Sequence, residues 1–255
     1  MNNISIKLTA TVLLASVLFS CKKNDDNNNT DTGKGTATIS ISNRAGNQPL
    51  VLNSQTYTNS QGASLTFTKF NYYISNIKLN NNSGGSFAED YSYHLVQQDD
   101  PSSYQFSIAN VPAGTYTGMS FMIGVDSTHN VSGAQSGALD PANGMFWSWN
   151  TGYIMAKMEG TSPQSTAVDN SFIFHIGGFS GANSAVRNVT LSFPAPMVIT
   201  KDKASVAYIH ADALEWFSPN TIDLATLHFL MTVNADSKNI ADNYANMFAA
   251  DSVKN

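Results

Sequence analysis

Apolar and polar residues alternate strictly where Val189, Leu191 and Phe193 interleave with Asn188, Thr190 and Ser192. A period of two puts one face of a strand in a core and the other in water. Met119, Phe121, Ile123 and Val125 repeat the pattern. Across residues 70–79 the apolar positions are even up to Ile74 and odd from Ile77. A one-residue slip inverts the faces of a flat strand, so a bulge or bend is expected near Ser75 and Asn76. Turn chemistry punctuates these runs at Asn82-Ser83-Gly84-Gly85, Val111-Pro112-Ala113-Gly114, Asp140-Pro141-Ala142-Asn143-Gly144 and Gly177-Gly178. One stretch has a helical period instead: over residues 240–248, Ile240, Tyr244 and Met247 or Phe248 share a face. The pattern predicts an all-β fold, an antiparallel β-sandwich with a short C-terminal helix docked on it.

The N-terminus departs from this pattern. Residues 1–20 hold one lysine, Lys7, then an apolar run from Leu8 to Phe19 and a small residue, Ser20. This reads as a secretory signal, too short to span a bilayer permanently. Leu18-Phe19-Ser20-Cys21 resembles a bacterial lipobox, in which the cysteine becomes the lipidated first residue of the mature chain. Cys21 is the only cysteine, so no internal disulfide is available, and lipidation accounts for the lone thiol. Residues 21–36 are rich in Asn, Asp and Lys and poor in apolar side chains; such a segment cannot offset the entropy of ordering and is expected to be a tether. It resembles the export tethers of Bacteroidetes lipoproteins. The expected location is therefore the outer membrane, on its periplasmic or cell-surface face. Residues 37–255 are uniform in composition, with no linker, charge block or repeat, and are expected to form one domain.

Charged residues make up 12% of the chain and the net charge is −5, one unit more negative once Lys7 leaves with the signal. That balance argues against nucleic acid, whose binding needs a basic footprint. Of the five histidines, His94, His175 and His210 lie inside strand-like runs. Singly, each reads as a structural residue. Together they are candidate ligands, because strands distant in sequence can meet at one site where neutral imidazoles suit copper, zinc, iron or nickel; methionine sulfur leans the choice toward copper. His129, in a polar loop, reads as solvated, and His228 as structural. Two of the three tryptophans, Trp147 and Trp149, stand two residues apart; in a strand they would present adjacent indoles on one face, with Met145 continuing the row. A second reading makes Trp147, Trp149, Tyr153 and Trp216 a stacking platform for sugar rings, and the chain a cell-surface carbohydrate-binding lipoprotein. No Gly-x-Ser-x-Gly elbow is present and Glu159, Asp202, Asp212 and Glu215 show no acid/base pairing, so an enzyme is not expected.

Several segments occur together in one order: Phe70-Asn71-Tyr72-Tyr73-Ile74-Ser75-Asn76-Ile77, Tyr93-His94-Leu95-Val96, Gly124-Val125-Asp126-Ser127, Asp140-Pro141-Ala142-Asn143-Gly144-Met145-Phe146-Trp147-Ser148-Trp149, Glu159-Gly160 and Phe174-His175-Ile176-Gly177-Gly178. This set resembles the MbnP-like family of secreted or lipid-anchored copper-binding proteins over nearly the whole mature chain. The resemblance implies a β-sandwich holding one copper ion, for acquisition, storage or delivery. It also implies a tryptophan at the site, Trp147 or Trp149, oxidised to kynurenine by a partner di-haem enzyme of the MauG peroxidase type. Ligation falls to His94, His175 and His210. The chain departs from the family at its end, where the residues after Met247-Phe248 contain no histidine.

Overall fold

The alternating segments become the strands of two sheets. The computed structural model describes residues 33–255 apart from 134, 150, 151 and 202; the signal, Cys21 and the tether up to residue 32 lie outside the described residues. The principal strands are β1 (Lys34–Ala45), β2 (Ser64–Asn81), β3 (Tyr93–Gln97), β4 (Gln105–Pro112), β5 (Gly114–Ile123), β6 (Gly152–Thr161), β7 (Ser171–Gly177), β8 (Arg187–Ile199), β9 (Ala204–Asp212) and β10 (Phe248–Lys254). The longer helix, α1, spans Ala235–Tyr244. One sheet runs β10-β9-β1 and continues from β1 to β4; the other runs β8-β5-β2-β6-β7, with β3 also paired to β2. Most pairs are antiparallel, but β1 and β9 run parallel. Lys34 and Gly35 already pair with Pro112 and Val111, so β1 starts three residues before residue 37.

The expected bulge is present. Pairing of β2 with β5 shifts register between Ser75 and Lys78, and Asn76 takes up a left-handed backbone at φ 53°, a conformation that asparagine tolerates better than most residues. The slip keeps Phe70, Tyr72, Ile74, Ile77 and Leu79 all buried. The C-terminal helix differs from its sequence signal. It starts five residues earlier, where Asn234 and Ser237 form a reciprocal capping box, and stops at Tyr244. Phe248 instead opens β10, which pairs with β9 from Ala211 onward. The free edge of β9 takes up the backbone groups of the tail, and this outweighs the helical period of Met247 and Phe248.

Aromatic rings fill the space between the sheets. Phe70 meets Trp216 at 6.0 Å and Trp216 meets Tyr244 of α1 at 5.2 Å, while Tyr72 and Phe121 both contact Phe248. The Tyr72 hydroxyl donates to Asn43 Oδ1 of the opposite sheet at 2.6 Å, so the polar end of a fully buried ring is satisfied. Among the described residues, no helix is long and apolar enough to cross a membrane.

Candidate functional site

The tandem-tryptophan segment folds back on the outer side of β6 and β7. Asp140 starts it by capping the short 3-10 turn Pro141–Asn143 through the Ala142 N–H, and Gly144 ends that turn in the left-handed region at φ 70°. Phe146–Trp147 then pairs with Gly152 and Tyr153 at the start of β6. Lys157 of β6 donates its ammonium to the Gly144 carbonyl, clamping the loop to the sheet; burial lowers the pKa of this lysine. Trp147 packs against Gly177 of β7, where a Cβ would stand 2.4 Å from the indole. Only glycine leaves that seat open.

Trp147 is 3% exposed and Trp149 61% exposed, although their rings stand only 5.2 Å apart. The expected shared strand face is not realised, because the strand ends at Trp147 and Trp149 sits in the following turn. Adjacency survives through the turn. The sugar-platform arrangement is not assembled at the surface: Tyr153 and Trp216 are core residues at 0% and 1% exposure.

His175 lies two residues before Gly177 in β7, and residues at that spacing share a face. Its Nε2 stands 2.7 Å from Glu159 Oε1 of the adjacent β6. That bond is the chief reason the Glu159 carboxyl titrates below its ordinary value. The other ring nitrogen, Nδ1, is buried with no hydrogen-bond partner, and so is Trp147 Nε1. Each is unusual, since buried polar atoms are ordinarily paired.

The three candidate histidines sit on three different carboxylates. His94 of β3 bonds Glu89 at 2.9 Å and stacks on Phe106 with centroids 3.7 Å apart. His210 of β9 bonds Asp251 at 2.8 Å, and Asp251 also holds Arg44 of β1. Among the described residues, no group of three or more His, Cys, Asp and Glu side chains is placed to hold a metal ion. Of the three, His175 is the one on the strand face that carries the Trp147 seat, two residues from Gly177. His175 does fit a metal: one nitrogen is oriented by a carboxylate and the other is open, the usual arrangement of a ligating histidine. Met145, fully buried in the same loop, carries a thioether, a soft donor of the kind that favours copper(I).

The remaining two histidines differ in outcome. His228 bonds the Leu224 carbonyl from the Leu224-to-Phe229 turn, a structural contact as expected. His129 is not a solvated loop residue: its Nδ1 lies 2.6 Å from the Tyr93 hydroxyl and 3.3 Å from Asp126 Oδ1. Sequence reading also missed Lys157 and Gly177. The available signal was the period of two linking His175 to Gly177 and Lys157 to Glu159, but nothing local says which loop covers that face.

Fold and site together define a two-sheet β protein with a tandem-indole loop clamped over a carboxylate-held histidine. The MbnP family model matches residues 34–237, and the chain belongs to that family. The solved structure of MbnP from Methylosinus trichosporium is similar in fold, with a TM-score of 0.54 and 13% identity over 80% of this chain and 83% of the other. No match is found among curated proteins.

Proposed function

We propose that this chain is an extracytoplasmic, lipid-anchored copper-binding protein, serving copper acquisition, storage or delivery with no turnover of its own. The observation that carries the reading is His175: Glu159 fixes one ring nitrogen while the other is buried without a partner beside the seat of Trp147. His175 is the histidine ligand on this reading, with Met145 as the soft donor; His94 and His210 are left to packing and surface ion pairs. Copper at this position supplies a soft Lewis acid that imidazole and thioether groups hold well. Trp147, rather than Trp149, is the residue oxidised to kynurenine by a di-haem peroxidase partner. Opening the indole creates an aniline nitrogen and a ketone, and polar atoms at the buried position find a purpose there that they lack on an exposed ring.

Protein purified from its own host tests this reading. Metal analysis is expected to give one copper per chain, and mass spectrometry of the peptide 144–157 a gain of about four mass units on Trp147, from one oxygen gained and one carbon lost. Copper-loaded protein with unmodified Trp147 sinks the oxidation, and metal-free native protein sinks the copper reading. Anchoring has its own test. Cys21→Ser is expected to move the protein from the membrane fraction to the soluble one or to stall its processing. Soluble wild-type protein in the host excludes the anchor.

A further inference from the structure

A second cluster of chemistry-bearing side chains stands outside the tryptophan loop. Tyr93 of β3, Asp126 and His129 converge at one point. The Tyr93 hydroxyl donates to Asp126 Oδ2 and lies 2.6 Å from His129 Nδ1, which is itself 3.3 Å from Asp126 Oδ1. Asn76 Nδ2 steadies the carboxylate from the bulge of β2 at 3.2 Å. We propose that Tyr93, Asp126 and His129 form a binding site for a single ferric ion.

The geometry carries this first. Two ligands about 2.1 Å from one ion at a right angle stand roughly 3 Å apart; the two spacings to His129 Nδ1, 2.6 and 3.3 Å, bracket that value, and the Tyr93 and Asp126 oxygens stand closer, drawn together by the phenolic proton that the ion would displace. Donor chemistry then selects the metal. A carboxylate and a phenolate are hard anionic oxygens and imidazole accepts iron, whereas a soft monovalent ion prefers sulfur. Binding replaces the Tyr93 O–H bond by an O–Fe bond and releases the proton to solvent. Only a strongly Lewis-acidic cation drives that exchange, because a bound ion lowers the pKa of the group it coordinates.

The site is reachable. The His129 and Asp126 side chains keep 26% and 20% of their surface in solvent, and Tyr91 flanks them, its ring 5.3 Å from Tyr93 and 5.7 Å from His129. Its backbone is held left-handed at φ 46°, which is costly for a bulky side chain and is found where surrounding structure over-determines a functional segment.

Titration of the purified full chain with ferric citrate tests the proposal. A visible phenolate-to-iron charge-transfer band is expected, saturating at one iron per chain. Tyr93→Phe is expected to abolish the band and Asp126→Asn to weaken binding at least tenfold. His175→Ala is expected to leave the band intact, which separates this site from the copper reading. Thermal unfolding of each variant confirms its fold, and Asp126→Asn serves if Tyr93→Phe does not fold. Absence of the band in the wild type, or an undiminished band in Tyr93→Phe, overturns the site. Binding of zinc or copper(II) by the cluster in place of iron overturns the ferric assignment.

Discussion

Replacing Trp216 by alanine is expected to destabilise the fold by about 4 kcal/mol, the range for truncating a large buried aromatic side chain. The indole is 1% exposed, between Phe70 of β2 at 6.0 Å and Tyr244 of α1 at 5.2 Å. Removing it opens a cavity at the junction of sheet, helix and the Ala213–Phe217 turn. That junction is rigid, because Asn243 of α1 donates to the Trp216 carbonyl at 2.9 Å, so collapse around the cavity is only partial. Trp216→Phe is expected to cost less than alanine: it keeps most of the apolar volume and deletes Nε1, a buried N–H without a partner. Trp149→Ala, at 61% exposure, should change stability by no more than about 0.5 kcal/mol. Denaturant midpoints at constant m-value read all three differences. A Trp216→Ala midpoint close to wild type would place this ring at the surface and restore it to a ligand platform.

His175→Ala is expected to weaken copper binding at least tenfold, about 1.4 kcal/mol, while His94→Ala and His210→Ala leave it unchanged. The reasoning is geometric. His94 is consumed by Glu89 and by stacking on Phe106, and His210 by the Arg44–Asp251 network of the other sheet, whereas His175 keeps a buried nitrogen open beside the Trp147 seat. Deleting residues 21–33 should also leave affinity unaltered, because the cut stops before Lys34, where β1 begins. Isothermal titration with a copper(I) competitor compares the four variants. Equal affinity for His175→Ala and wild type removes His175 from the site; a loss in His94→Ala of the same size would mean the histidines act together after all.

Which parts of this molecule were legible follows from the range of the forces involved. Strand alternation at Val189, Leu191 and Phe193 and at Met119, Phe121 and Ile123 needed only the period of two, and every one of those residues is buried. The bulge at Asn76 was legible for the same reason, since a phase slip between Ile74 and Ile77 has few backbone solutions. The end of α1 was not. Residues 245–248 satisfy a helical period locally, and the edge of β9 redirected them into β10. The parallel pairing of β1 with β9, about 170 residues later in the chain, also leaves no mark in either strand's own sequence.

The sequence by itself determined that this chain is a β protein of the MbnP family, with its strands, its bulge and the tandem-tryptophan motif. Those features depend on residues close together along the chain, where side-chain period, turn chemistry and motif order act directly. The tertiary structure alone decided which histidine shares the face of the Trp147 seat, that Trp147 is buried while Trp149 is exposed, and that His129 turns to Tyr93 and Asp126. Each of these depends on which face of one sheet a distant loop covers. Burial and hydrogen-bond satisfaction settle that choice only once the two sheets are packed.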